Sequence, residues 1–186
     1  MPGTLPLPFN AHTGRALGPV LDLPAGAAVL DAGCGRGAVA RWLAGRGYRV
    51  LGIDVELPDE DATAGEADGL ELRRADLLEL PGADGRFDAV LLFGVLHYAG
   101  HPDRVREMLR TVDRLAAPEA PLALNWICDE IPLDHEDAYL PPRALVLNTL
   151  RLLGRHPVDV WDRDVRHAHG GSPVHEHRIV YGVWSR

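Results

Sequence analysis

A glycine-rich turn and three strand-ending carboxylates have the spacing to hold a ligand. Val29-Leu30-Asp31-Ala32-Gly33-Cys34-Gly35-Arg36-Gly37 runs from an apolar stretch through an acid into the turn. Glycine reaches positive φ at little cost and lets the main chain approach a bound molecule closely. Behind the turn, Ala38, Val39, Trp42 and Leu43 repeat at helical spacing. A turn that opens a helix offers free N–H groups to a nucleotide-like ligand. Gly33, Gly35 and Ala38 fit the pattern G-x-G-x-x-G/A, which by itself admits a dinucleotide. The acids narrow the choice. Asp31 stands two residues before the first glycine, where it can bracket the turn and face a cation. Asp54 ends the second apolar run, placed to accept from both hydroxyls of a ribose. Asp76 ends the third, where an exocyclic adenine amine could donate to it. Each acid has a plainer role open to it, capping nearby backbone amides. So much negative charge suits a ligand with a ribose, an amine and no phosphates.

These residues need a scaffold, and the hydrophobic pattern supplies one. Ala28 to Ala32 reads as a strand, and Ala38 to Ala44 as a helix stopped by Gly45 and Gly47. Further strands are expected over Tyr48 to Ile53, Leu70 to Ala75, Phe87 to Phe93 and Leu122 to Ile127. Between the last two, Val105, Met108, Leu109, Val112 and Leu115 give Asp103 to Ala117 a helical period. Strands alternating with helices imply a parallel sheet covered on both faces. Glu56 to Gly69 is a biased run of Asp, Glu, Ala and Gly, so its crossover helix is expected to be short or absent. Pro141 and Pro142 open a helix through Leu153. Val158 to Ala168 and Val174 to Trp184 are then joined by Gly170-Gly171-Ser172-Pro173, too short for a crossover, so the pair is an antiparallel hairpin.

The expected fold class is α/β: a Rossmann-like, seven-stranded, mostly parallel sheet with a C-terminal antiparallel hairpin and helices on both faces. The chain is read as one domain, 1–186. Residues 1–26 form an N-terminal lid or helix, 27–127 the ligand-binding core, and 128–186 a substrate-side helix and the hairpin.

Bulk composition excludes several classes of partner. With net charge −8 and no basic cluster, a nucleic-acid substrate is disfavoured. All 19 basic residues are arginine, which beside so much Ala, Gly and Pro reads as the composition of a GC-rich genome. No apolar run reaches the roughly 18 residues of a membrane span, and Met1 to Pro8 lacks a basic leader region. Cys34 and Cys128 form no disulfide or zinc pattern, so the expected location is cytoplasmic.

The stretches VLDAGCGRG (29–37), VLGID (50–54), RADLLELP (74–81) and FDAVLLFGVLHY (87–98) resemble the class I S-adenosylmethionine-dependent methyltransferases. The resemblance covers roughly residues 27–127, and the terminal hairpin matches the family's antiparallel addition. The layout is similar to that of the compact tellurite-resistance-type methyltransferases, in arrangement rather than motif, so tellurite is not carried over as a substrate. The resemblance implies strand order 3-2-1-4-5-7-6 with strand 7 antiparallel. It implies S-adenosylmethionine as cofactor, contacted by Asp31, Gly33, Gly35, Asp54, Asp76, Leu77, Phe93 and Gly94. The implied activity is methyl transfer to a small-molecule acceptor by in-line displacement. The alternative keeps the cofactor without methylation, as a cyclisation or rearrangement or as a non-catalytic regulator. Partners are limited to that acceptor, with no nucleic acid and no membrane, in a monomer or homodimer.

Methyl transfer needs collinearity, exclusion of water and at most one base. Side chains that could serve lie beyond the carboxyl ends of the strands. His97 and Tyr98 follow the fourth strand and are the catalytic candidates. His97 is the first choice for a base, because imidazole titrates near neutrality. Asn125, Trp126 and Asp129 lie at or after the fifth strand, with His135 beyond. Phe9, Asn10 and His12 could fold over the ligand. Of these, His12, Trp126 and His135 are taken as substrate-side. Arg36 is expected in solvent. Four histidines, His167, His169, His175 and His177, flank the hairpin turn. If the loop is Gly170 to Pro173, His169 pairs with Val174 and the two His pairs face opposite sides; an odd register would gather them. No metal site is expected.

Overall fold

The computed structural model describes residues 9–62, 69–81, 84–131, 139–167 and 174–186, without the side chains of 129–131 and 167. Seven strands form one sheet in the order β3-β2-β1-β4-β5-β7-β6. They are β1 (Ala28–Ala32), β2 (Arg49–Asp54), β3 (Leu70–Arg74), β4 (Ala89–Phe93), β5 (Leu122–Ile131), β6 (His156–His167) and β7 (His175–Ser185). β1 to β5 pair in parallel, whereas β7 runs antiparallel to both β5 and β6.

Two apolar layers cover the sheet. On one face α4 (Pro102–Leu115) and α5 (Arg143–Leu152) pack over Leu30, Val90, Leu122 and Leu124. On the other, α1 (Ala11–Ala16), α2 (Gly18–Leu21) and α3 (Ala38–Ala44) pack over Val29, Val50, Leu91 and Ala123. β1 is buried along its whole length because both faces are covered, which is why its sequence is a continuous apolar run broken by one acid. α4 begins with Pro102 at its first turn and His101 Nδ1 accepting from the Asp103 amide at 3.2 Å. It ends at Leu115, earlier than its periodicity predicts, because Ala116 turns extended to bridge Phe87, with the Ala117 amide donating to the Phe87 carbonyl at 2.8 Å.

Of the connections flanking β3, residues 55–62 hold turns and no helix, and the β3–β4 connection holds the 3-10 turn Leu77–Glu79; residues 63–68 and 82–83 lie outside the described ones. A cleft of about 440 Å³ at the amino ends of the strands is bordered by Arg49, Glu71, Arg73 and Arg86.

One expectation changes in the last third: β5 runs on past Ile127 to Ile131, because β7 continues to pair with it beyond a bulge between Ile127 and Asp129. The described hairpin ladder ends with His167 opposite His175, and the expected pairing of His169 lies outside the described residues. Hairpin register follows from turn geometry together with the buried pattern of both strands, so a loop read from sequence alone does not define it.

The ends of α4, β5, α5 and β7 are tied at the sheet's amino edge. Arg155, with no exposed side-chain surface, donates from Nε to Asp113 Oδ1 at 2.7 Å and from a guanidinium nitrogen to the Ala120 carbonyl at 2.6 Å. Arg186 closes the cluster onto Asp113 at 3.0 Å.

Candidate functional site

A cavity of about 590 Å³ opens at the carboxyl ends of β1 to β4, where open α/β sheets bind ligands. Its volume suits a nucleoside-sized molecule. Gly33, Gly35, Asp54, Asp76, Leu77, Gly94 and Tyr98 all contribute to its wall. The cleft at the opposite edge has no such position relative to the strand ends.

The turn after β1 makes the cavity floor. Gly33 and Cys34 donate to the Ile53 carbonyl at 2.8 and 3.0 Å, which pins the turn to β2. Gly33 sits at φ +77°, and a Cβ there would lie 2.1 Å from Val95 Cγ2. Left-handed backbone costs an L-residue about 1–2 kcal/mol before any clash. Gly33→Ala is thus expected to lower stability by at least about 2 kcal/mol, or some 4–8 °C in a thermal melt of a chain this size. Adding Val95→Ala should return the contact part and leave the backbone part. A melt unchanged by Gly33→Ala would disprove the geometry.

Asp54 joins the turn to β2. Its Oδ2 accepts from the Gly35 amide and its Oδ1 from the Glu56 amide, both at 2.9 Å. A carboxylate offers about four acceptor positions, so each oxygen retains one directed elsewhere. Asp76 caps the 3-10 turn by accepting from the Leu78 amide at 2.9 Å and pairs with Arg104 at 3.2 Å. The local capping expected of these acids and their place on the cavity wall therefore coexist.

Asp31 is the unusual member. It is 3% exposed, and its Oδ2 has no hydrogen-bond partner among the described atoms. Burial pushes its carboxyl up to about 7; the Asp54 charge adds to the rise, and a hydrogen bond from the Ala40 amide offsets part of it. Asp31 stands two residues before Gly33 and does not itself border the cavity. The same burial, with Asp31 and Asp54 adding, pushes the Cys34 thiol up to about 12, so it is no nucleophile near neutral pH.

β4 delivers backbone rather than side chain. Gly94 borders the cavity, and its amide donates to Asn125 Oδ1 at 2.8 Å, so β5 holds the β4 turn in place. Asn125 thereby acts through Gly94, a role its position at a strand end could suggest but not specify. Phe93 is half-buried on the α3 side and does not border the cavity, because strand alternation turns its side chain to the opposite layer. Met108 and Arg104 of α4 do border it and were not anticipated; the signal was an α4 that starts soon after the β4 turn.

The other predicted residues are dispersed. Tyr98 is 78% exposed at the cavity wall. His97 does not border the cavity; its ring lies 4.3 Å from that of Tyr98. Trp126 is core, not substrate-side: it is fully buried and its indole N–H donates to the Pro141 carbonyl at 3.0 Å. Alternation along β5 places it with Leu122 and Leu124 under α5. His12 also leaves the substrate side. Trp161 Nε1 donates to its Nδ1 at 2.9 Å, and Arg15 of the same helix pairs with Asp159 at 2.8 Å, so α1 is fastened to the hairpin. Phe9 packs edge-on against Trp42 and Asn10 caps α1. Arg36 is exposed as expected, but it also borders the cavity, and its Nε pairs with Asp61 at 2.7 Å. His135 and His169 lie outside the described residues.

Comparison with known proteins points the same way. The sequence profile of a methyltransferase domain family matches residues 30–124. The chain is 33% identical over 141 residues to the methyltransferase GfsG of Streptomyces halstedii, covering 72% of this chain and 49% of that protein. It is 34% identical over 98 residues to the 2-heptyl-1-hydroxyquinolin-4(1H)-one methyltransferase of Mycobacteroides abscessus, covering 50% and 42%. The chain spans about half the length of the curated relatives it matches. Among solved structures, the 1,6-didemethyltoxoflavin-N1-methyltransferase of Burkholderia thailandensis, solved with its substrate and S-adenosylhomocysteine, superposes with a TM-score of 0.70. That match is 23% identical and covers 95% of this chain and 77% of that one. No described helix is long and apolar enough to cross a membrane. The strand order, the acids around the glycine turn and the profile match over half the sequence together place this chain in the methyltransferase domain family.

Proposed function

We propose that the cavity binds S-adenosylmethionine and that the protein transfers its methyl group to a small-molecule acceptor. The observation that carries this reading is a cavity at the carboxyl ends of the strands whose wall holds the glycine turn, Asp54 and Asp76, with the buried, unpartnered Oδ2 of Asp31 two residues before that turn. When bound, the cofactor supplies a methyl carbon activated by a positively charged sulfur. Asp31 would receive the ammonium of the methionine portion, Asp54 the ribose hydroxyls, and Asp76 with the Leu77 backbone the adenine. The Gly94 turn, held by Asn125, would border the methionine portion. Tyr98, exposed at the wall, would meet an acceptor. A base is not required of the protein when the acceptor is already a good nucleophile. The net charge of −8 and the relatives named for small-molecule methylation favour a small acceptor over nucleic acid. A cytoplasmic setting, without membrane attachment, fits the same composition.

Calorimetry with S-adenosylhomocysteine should show one site per chain at micromolar affinity, and absence of binding would overturn the reading. Turnover of methyl-labelled cofactor with a panel of hydroxylated and nitrogen heteroaromatic acceptors should place the label in a product; a product formed without label would favour cyclisation or rearrangement instead.

The raised Asp31 carboxyl adds a pH signature. Between its ordinary value of 3.8 and about 7 the ligand-free fold holds a proton that the unfolded chain does not. Its stabilising contribution is therefore complete at low pH and lost as pH rises through about 7. The melting temperature of the ligand-free protein should fall between pH 5.5 and 8, and Asp31→Asn should flatten that slope. An ammonium ligand pairs with the ionised form, so affinity should climb over the same interval with release of a proton. A flat affinity profile in the wild type would refute the assignment of Asp31.

A further inference from the structure

Arg104 stands on the cavity wall with most of its hydrogen-bonding capacity unused. It lies in the first turn of α4, which Pro102 and the His101 cap begin. Val105, Met108 and Leu109 bury this end of α4 in the same apolar layer as Leu77 and Leu80 of the β3–β4 connection. Helix and connection therefore meet through core side chains, and that contact brings Arg104 Nη2 to Asp76 Oδ2 at 3.2 Å. Both residues border the cavity. A guanidinium is all donors. Apart from the bond to Asp76, the N–H groups of Arg104 have no partner among the described residues. A cation in the first turn of a helix also faces the positive end of the helix dipole, which is unfavourable. The ion pair is partly exposed, so it offsets little of that cost. A local rule broken for so small a structural return marks a position of function.

We propose that Arg104 and Asp76 together read one edge of the adenine, Asp76 accepting from the exocyclic amine and Arg104 donating to N7; this rests on the reading of the cavity as an S-adenosylmethionine site. Side by side, the pair presents an acceptor and a donor. That edge of adenine presents the opposite, an amine donor beside the N7 acceptor, so the two patterns match. Asp76 has capacity left for this after accepting from the Leu78 amide and from Arg104, since a carboxylate offers about four acceptor positions. Asp76 alone selects for an amine. With Arg104 beside it, the wall also selects for the ring nitrogen next to that amine. Because α4 and the β3–β4 connection are both seated in the core, the pair is held in place before the ligand arrives.

The test is calorimetry of the full chain with S-adenosylhomocysteine and with its 7-deaza analogue, in which a C–H replaces N7. Wild type should bind the analogue about 10-fold more weakly, the loss of one charge-assisted hydrogen bond. Arg104→Met should bind S-adenosylhomocysteine about 10-fold more weakly than wild type does, and should bind the two ligands within about twofold of each other. Arg104→Lys keeps a donor and should restore part of the discrimination. Melts of the ligand-free variants should stay within about 2 °C of wild type, since a partly exposed ion pair adds little stability. Equal affinity of wild type for the two ligands overturns the proposal. An Arg104→Met variant that still discriminates about 10-fold overturns it as well. The wild-type comparison needs no variant, so it decides the matter even if Arg104→Met fails to fold. Failure of wild type to bind either ligand would overturn the cofactor reading itself, and is thereby distinct from loss of the N7 contact alone.

Discussion

Asp54→Ala should weaken S-adenosylhomocysteine binding by about 100-fold or more. The Asp54 carboxylate already accepts the Gly35 and Glu56 amides, one on each oxygen. Its remaining acceptor positions would take the two ribose hydroxyls. Hydrogen bonds to a charged group are worth about 1.5–3 kcal/mol each, so losing two costs roughly 3 kcal/mol at the low end, and each 1.4 kcal/mol is tenfold in affinity. Asp54→Asn keeps one acceptor oxygen and turns a donor toward either a hydroxyl or the Gly35 amide, so its loss should be smaller, about 10-fold. Alanine also frees the Gly35 amide, and a melt separates that loosening of the turn from lost ligand contacts. A cofactor analogue lacking both ribose hydroxyls should bind wild type and Asp54→Ala alike. An affinity within about threefold of wild type for Asp54→Ala would sink the assignment.

Asp113→Ala should be the most destabilising single change, at about 3–5 kcal/mol. Arg155 has no exposed side-chain surface, and Asp113 is its ion-pair partner. Removing the carboxylate strands a buried guanidinium and leaves Arg186 without the same anchor. One Arg155 nitrogen, Nη2, is already a buried donor without a partner among the described atoms, so the cluster has no spare acceptor to offer. Against a total stability of about 5–15 kcal/mol the loss is large, and the melting temperature should drop by about 10 °C. Arg155→Met should cost less, because Asp113 keeps Arg186. The double variant Asp113→Leu with Arg155→Met should recover much of the loss, since apolar replacement of a buried pair is often neutral. The cluster lies at the opposite edge of the sheet from the cavity, so S-adenosylhomocysteine affinity should be unchanged in folded protein. A melt within 2 °C of wild type for Asp113→Ala would refute this account.

Both outcomes bear on where information about this protein resides. The Asp54 effect concerns a residue whose place was legible from a strand pattern that ends in an acid. The Asp113 effect concerns a cluster whose members are drawn from α4 and from segments up to 73 residues away in sequence. No local pattern announces such a cluster. Asp113 falls among apolar positions of α4, and Arg155 follows a helix end like any surface arginine. Trp126 and His12 show the same limit: the sequence pattern puts both on the substrate side, whereas their partners, the Pro141 carbonyl and Trp161, come from remote segments.

The amino-acid sequence by itself determined the alternation of strands and helices, the glycine turn and the three strand-ending acids. Each of those depends on neighbours a few residues apart, through side-chain period, backbone φ and capping. Tertiary structure alone decided that Asp31 is buried with an unpartnered oxygen, that Asn125 holds Gly94, and that His167 stands opposite His175. Those facts depend on which strands lie side by side and in what register. Desolvation and cross-strand pairing are properties of the assembled sheet, so the chemistry of Asp31 exists only once the fold has formed.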